Sequence, residues 1–183
     1  MILDATAGNR TMWQIKKPTN IIFIDMEKQL EVKPDIFCDN TNTPFIPKLF
    51  DTIFYDPPHG WGVLAMFFNV KTRAEYAKLY HKVKYAPTYY GLDKYKSRAE
   101  LIKHIYYAQE EFYRILKDNG LLWFKWCDGA ILLERVLTCF TDWIEMMRLV
   151  VSDPQHQTST NRTYWVCLSK KTQKTSQQSL TQF

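Results

Sequence analysis

Four short apolar runs in the first sixty residues each end in an aspartate: MILD at 1–4, IIFID at 21–25, DIFCD at 35–39 and DTIFYD at 51–56. Runs this short and this apolar suit strands that are buried on both faces, as in a parallel sheet. We read strands over 1–5, 20–25, 34–39 and 50–56, the last one stopped by Pro57 and Pro58. A short helix is expected over 9–17, closed by Pro18. The clearest helix spans 97–117, where Leu101, Ile105, Ala108, Phe112 and Ile115 recur at helical spacing. Ser97 and Glu100 form a capping box at its start, and Asn119–Gly120 is expected to end it. LLWFKW at 121–126 reads as a fifth strand, Asp128 as the cap of a helix over 129–140, and 143–151 and 163–168 as a final pair of strands. Strands alternating with helices predict an α/β fold, with a mostly parallel seven-stranded sheet whose last strand is antiparallel.

The chain has 183 residues, 46% hydrophobic and 23% charged, which suits one globular domain and argues against disorder. No apolar run is long enough to span a membrane, and no basic segment followed by an apolar one opens the chain. Cys38, Cys127, Cys139 and Cys167 are widely spaced and form no CxxC pair. That disfavours a zinc site or a disulfide framework and predicts a reducing, cytoplasmic setting with no metal. The tail 169–183 is polar and low in complexity and is expected to be mobile. The domain is therefore placed at 1–168.

The net charge is +5, and its distribution is uneven. Residues 71–98 carry eight basic side chains against two acids, a net +6, together with six of the eleven tyrosines. Basic and aromatic side chains interleaved in this way suit a polyanion with bases to stack. Lys82, Lys84, Tyr90 and Lys94 are the substrate-binding candidates in this segment. A solvated helical hairpin with tyrosines packed inside is the alternative.

Open parallel sheets bind ligands at the carboxyl ends of their strands, and the acids fall there: Asp4, Asp25, Asp39 and Asp56. DATAGNR at 4–10 has Gly8 for a tight turn but lacks the Gly-Lys-Ser/Thr of a phosphate loop, and Arg10 stands where a GxG pair would have its second glycine. Asp25 is spaced to accept both hydroxyls of a ribose, Asp39 could receive an adenine amino group, and Asp4 could face an ammonium. A nucleoside with positive charge and no phosphate is implied, and S-adenosylmethionine fits.

LDATAGNR, IIFIDMEK, DIFCDN and DTIFYDPPHG resemble, in order, the motifs of class I S-adenosylmethionine-dependent methyltransferases. The DPPH at 56–59 resembles the Asp/Asn-Pro-Pro-aromatic signature of enzymes that methylate an exocyclic amine of a base. With YYGL at 89–92, FYRILKDNGLLWFKW at 112–126 and TNRTYWVCLSK at 160–170, the chain is similar to small phage- and prophage-type methyltransferases over all but the tail. The resemblance implies a Rossmann-like three-layer sandwich and cofactor contacts from Asp4, Ala5, Thr6, Gly8, Arg10, Asp25, Met26, Asp39, Asn40 and Asp56. Arg10 replaces a common glycine and could reach the cofactor carboxylate. The helix that usually precedes the first motif has no counterpart before strand one, so the insertion 59–96 is expected to act as a lid or in substrate recognition.

In this reading Asp56 and the Pro57 carbonyl accept hydrogen bonds from the target amine, while Pro57 and Pro58 hold the backbone rigid. His59 stacks on the target ring or takes the released proton. Lys125 contacts phosphate and Trp126 walls the base, with Asn161-Arg162-Thr163 as further substrate candidates; Trp13 is read as core. The expected substrate is an exocyclic amine of a nucleic-acid base, adenine N6 in DNA ahead of cytosine N4 or an RNA base. A protein glutamine amide and an inactive nucleic-acid-binding relative are the alternatives.

Overall fold

A computed structural model describes residues 1–28, 30–60, 94–151 and 162–171. The elements in chain order are β1 (Ile2–Asp4), β2 (Ile21–Asp25), β3 (Ile36–Phe37), β4 (Phe50–Tyr55), α1 (Arg98–Ile115), β5 (Leu116–Cys127), α2 (Leu133–Leu137), β6 (Trp143–Val151) and β7 (Thr163–Lys170). The strands form one seven-stranded sheet in the order β3-β2-β1-β4-β5-β7-β6. β1 pairs in parallel with both β2 and β4, whereas β7 runs antiparallel to both β5 and β6. The predicted α/β architecture and antiparallel last strand are therefore both present.

The order reverses at β1. The chain steps outward from β1 to β2 to β3, then returns to β1's other edge as β4. Loops leaving the carboxyl ends of β1 and β4 consequently diverge and leave a crevice between them, which is where open α/β sheets hold ligands.

α1 forms for the reasons its sequence announces. Ser97 Oγ accepts from the Glu100 backbone N–H at 3.2 Å, and Glu100 Oε2 accepts from the Lys96 N–H at 2.8 Å. Leu101, Ile105, Ala108, Phe112 and Ile115 are all buried against the sheet. Beneath them, Tyr55, Phe124 and Trp126 contribute rings with no exposed area. Phe112 meets Tyr55 edge-on at 4.8 Å between centroids. The other sheet face carries a smaller cluster in which Trp13 packs edge-on against Phe23 and Phe54.

Several expectations are corrected. Residues 9–17 form turns and bends instead of a helix. β3 is two residues long, because beyond Phe37 the chain folds into turns around Asp39. α1 ends at Ile115 and continues directly into β5, so Asn119–Gly120 is not a helix stop. Leu116 pairs with Phe50 and Leu121 with Thr52, so 117–120 bulge out of the ladder. Gly120 is required there: a Cβ would fall 2.7 Å from Leu116 carbons and 3.0 Å from the Asp51 carbonyl oxygen. The helix expected over 129–140 is the five residues of α2, although Asp128 Oδ1 does accept from Leu133 N at 2.6 Å.

Among the described residues, no helix is long and apolar enough to cross a membrane. No group of three His, Cys, Asp or Glu side chains that could hold a metal ion occurs among them either.

Candidate functional site

A cleft of about 400 Å³ opens at the carboxyl ends of β1, β2 and β4. Its first wall is the turn after β1. Ala5 N–H donates to Phe54 O at 2.9 Å and Ala7 N–H to Ile24 O at 3.0 Å, so this turn is held by the strands on either side. Gly8 adopts a φ of +48°, in the left-handed region that glycine enters at little cost. The turn then aims the Gly8 N–H at Asp25 Oδ2, 2.9 Å away, and Asp25 Oδ1 accepts from Glu27 N at 2.8 Å. Asp25, Met26 and Glu27 form the second wall.

The third wall is Asp56-Pro57-Pro58 after β4. Thr6 Oγ1 accepts from the Asp56 backbone N–H at 2.8 Å, which locks this segment to the first wall. Asp56 Oδ2 lies 2.7 Å from Lys125 Nζ, and Oδ1 lies 3.3 Å from His59 Nε2. Burial alone would raise the Asp56 carboxyl, but the hydrogen bonds and charges of His59 and Lys125 outweigh it and hold the group below the usual carboxylate range.

Asn40 closes the far end. Its Nδ2 donates to Ala5 O at 3.0 Å, while its buried Oδ1 has no partner. A buried amide oxygen without a donor is costly, and an amino group on a ligand in this cleft would satisfy it.

Of the cofactor candidates, the cleft wall brings together Ala5, Thr6, Gly8, Asp25, Met26, Asn40 and Asp56. Lys94 joins them. The other candidates sit elsewhere, and each has a physical reason. Asp4 has no exposed area: its Oδ2 accepts from Trp13 Nε1 at 2.7 Å and its Oδ1 from Thr6 N at 3.1 Å, so it braces the turn from beneath. Arg10 turns away from the cleft. Its guanidinium donates to Lys16 O, Lys33 O and Asp35 Oδ1 and lies 3.9 Å over the Phe23 ring, so it anchors the loop and does not reach a cofactor carboxylate. Asp39 Oδ1 accepts from Thr41 N and Thr41 Oγ1 in a local turn beside the cleft.

Trp126 is in the core, not a wall for a base. Its Nε1 donates to Ile131 O at 2.7 Å and its ring stacks on Phe124. Lys125 faces the other side of the sheet, as strand alternation requires, and its Nζ is engaged with Asp56 instead of projecting toward a phosphate. His59 meets Trp126 edge-on at 5.3 Å and leaves a buried Nδ1 without a partner among the described residues. Trp13 is half-buried core, as read from the sequence. Arg162 is exposed, with its carbonyl accepting from Asp128 N. Lys82, Lys84, Tyr90 and Asn161 lie outside the described residues, as do 61–93 of the insertion and 172–183 of the tail.

Sequence reasoning missed Glu27, Cys38, Tyr95 and His104, which also line the cleft. Glu27, two residues past Asp25, could have been found from the IDME string. Tyr95 and His104 could not: Tyr95 stands just ahead of α1 and His104 lies on it, so both reach the cleft only through the packing of that helix. Their rings lie 5.2 Å apart, and burial pushes the His104 imidazole down and the Tyr95 phenol up, so both are neutral.

Asp4 makes the apo fold pH-sensitive. Burial raises its carboxyl to about 6, against the two hydrogen bonds it accepts. Between its unfolded value of 3.8 and about 6 the unfolded chain gives up this proton first, so stability falls as pH rises across that window and the loss is complete above it. The full loss is about 3 kcal/mol. Asp4→Asn is expected to remove this component. Chemical denaturation from pH 4 to 7 should show the difference between the two proteins changing steadily up to about pH 6, whereas parallel curves would mean that Asp4 titrates normally.

No protein-family profile matches the sequence, and no curated protein is detectably similar to it. Solved structures are similar in fold. The PH0226 protein of Pyrococcus horikoshii aligns with a TM-score of 0.56 at 10% identity, covering 93% of this chain and 81% of that one. A protein of Sulfolobus solfataricus assigned as a type 11 methyltransferase aligns at 0.51 and 12% identity, covering 94% and 85%. The [4+2]-cyclase SpnF aligns equally well, at 0.51 and 12% identity over 94% and 75%. Since one of these folds carries a cyclase, the likeness speaks for architecture and the chemistry must be argued from the site. The chain has the Rossmann-like α/β fold seen in methyltransferases, with a cleft at the strand ends where that fold holds its ligand.

Proposed function

We propose that this protein is an S-adenosylmethionine-dependent methyltransferase acting on an exocyclic amino group of a nucleic-acid base, adenine N6 in DNA first. The observation that carries the reading is the convergence of the Gly8 turn, Asp25 and the rigid Asp56-Pro57-Pro58 segment on one cleft. The donor set fits the cofactor. Asp25 keeps a free lone pair on each oxygen for ribose hydroxyls, and the unpartnered Asn40 Oδ1 can accept an adenine amino group. Among the described residues that line the cleft, nothing makes a phosphate cradle.

When bound, S-adenosylmethionine supplies an electrophilic methyl group on a sulfonium. The chain's part is to make the amine a nucleophile. An exocyclic amine delocalises its lone pair into the ring. Asp56 and the Pro57 carbonyl, both acceptors, draw its two N–H groups and favour the tetrahedral geometry that frees the pair. Two prolines fix the acceptors and offer no competing N–H. Methyl transfer from the bound cofactor to that nitrogen would leave the nitrogen cationic. It would then shed one proton, for which Asp56 and the neighbouring His59 are the candidate acceptors. Most of the acceleration comes from positioning in a preorganised polar site. A base in a duplex would have to be flipped out. The basic, tyrosine-rich stretch at 71–98 favours a polyanion over a protein amide.

Tritium transfer into DNA, RNA and protein fractions, followed by mass spectrometry of nucleosides, tests the reading. Label in N6-methyladenine from DNA is the expected result, and label confined to RNA or protein would move the substrate. Asp25→Ala is expected to weaken S-adenosylmethionine at least tenfold by calorimetry, about the effect of losing a charge-assisted bond. Unchanged affinity would remove Asp25 from the ribose site.

A further inference from the structure

Lys125 is a half-buried cation that reaches Asp56, a residue of the cleft wall. It stands near the carboxyl end of β5, where it pairs across the ladder with Trp165. Its side chain is only 29% exposed, and Nζ lies 5.9 Å from the Trp165 ring centroid. The ammonium points at Asp56 Oδ2, 2.7 Å away, and not at solvent. A lysine that reads phosphate needs its charge free at the surface. This one is spent on a partner that is itself 26% exposed.

The surroundings of Asp56 show what the pair is for. Among the described residues, three titratable groups act on it: Lys125 from β5, His59 from its own loop, and Asp4 from β1, whose interaction with Asp56 is repulsive. The Asp56 backbone N–H is taken by Thr6. Oδ1 faces His59 and Oδ2 faces Lys125, so the plane of the carboxylate is fixed from both sides. A carboxylate held at both oxygens cannot rotate, and its remaining lone pairs keep one direction.

We propose that Lys125 is a positioning residue for methyl transfer: by holding Asp56 Oδ2 it fixes the direction in which Asp56 accepts the hydrogen bond from the target amine. This rests on the function proposed above and deepens it. Lys125 touches neither cofactor nor amine. It acts through Asp56, and it also offsets the nearby Asp4 charge, so that Asp56 remains an anion able to accept.

Lys125→Met and Lys125→Arg test this, with thermal unfolding as a check that each variant folds. In Lys125→Met, kcat at pH 7 is expected to fall at least tenfold, with the cofactor Kd within about twofold and the salt dependence of nucleic-acid binding unchanged. The acid limb of the kcat/KM profile should move to higher pH. Lys125→Arg, which keeps the charge and the hydrogen bond, should recover kcat to within about threefold of wild type. A rise in KM with kcat intact, and a salt slope reduced by about one, would make Lys125 a phosphate contact and overturn the proposal. An unchanged kcat in Lys125→Met would overturn it equally.

A readout free of activity separates this proposal from the function on which it rests. Carbon-detected NMR of the Asp56 side chain should show its titration midpoint rising in Lys125→Met and returning in Lys125→Arg. If wild-type protein failed to bind S-adenosylmethionine, the cofactor reading would fall while that titration still reported the Lys125–Asp56 coupling. If the midpoint did not move, the coupling itself would be refuted whatever the enzyme does.

Discussion

Asp56→Ala is expected to abolish methyl transfer while leaving the cofactor bound. The side chain supplies one of two acceptors for the target amine, and removing a preorganised polar group from a reacting centre costs about 10²–10³ in kcat. The loss here should reach the upper end of that range. Asp56 also holds Lys125 Nζ at 2.7 Å and His59 Nε2 at 3.3 Å, so its removal frees the Lys125 ammonium and the His59 ring at once and takes an acceptor out of the site. The cofactor should be spared, because its walls are built on other bonds: Gly8 to Asp25, and Asn40 to Ala5. Single-turnover transfer measured beside calorimetric binding is the check. Loss of both would place Asp56 in the cofactor site, and retained transfer would remove it from the chemistry.

Trp126→Ala should unfold much of the protein's margin of stability instead of altering substrate recognition. The ring has no exposed area, stacks on Phe124 at 5.8 Å, meets His59 edge-on and donates to Ile131 O. Truncating a buried tryptophan costs about 3–5 kcal/mol, the cavity included, out of a total of roughly 5–15. The orphaned Ile131 carbonyl adds to that cost. Denaturant unfolding should show a large drop in midpoint. Trp126→Phe, which keeps most of the ring and loses the hydrogen bond, should fall between the two. A stable Trp126→Ala protein with a raised KM would return Trp126 to the role of a wall against the base.

These two residues show which inferences from sequence carried through. The β-strand runs, the buried face of α1 and its cap were legible because they depend on local periodicity and on neighbours three or four residues apart. The acids at the strand ends were legible in position. Their roles were not, since a carboxylate's job depends on who faces it. Asp25 and Asp56 turn to the cleft, whereas Asp4 is claimed by Trp13 and Thr6, and Asp39 by Thr41. Lys125 and Trp126 are adjacent in sequence and lie on opposite faces of β5. Only the register of that strand, shifted by the bulge at 117–120, says which of them meets Asp56.

The string of amino acids determined the strand runs, the long helix, the order of the strand-end acids and the stiffness of the Asp56-Pro57-Pro58 turn, because each is set within a few residues of backbone. The tertiary structure alone decided which acids share a cleft, that His104 from α1 and Tyr95 just ahead of it join them, and that Lys125 spends its charge on Asp56. The Thr6–Asp56 and Lys125–Asp56 bonds span 50 and 69 residues of chain, and only the packing of β1, β4 and β5 side by side brings such distant groups within hydrogen-bonding reach.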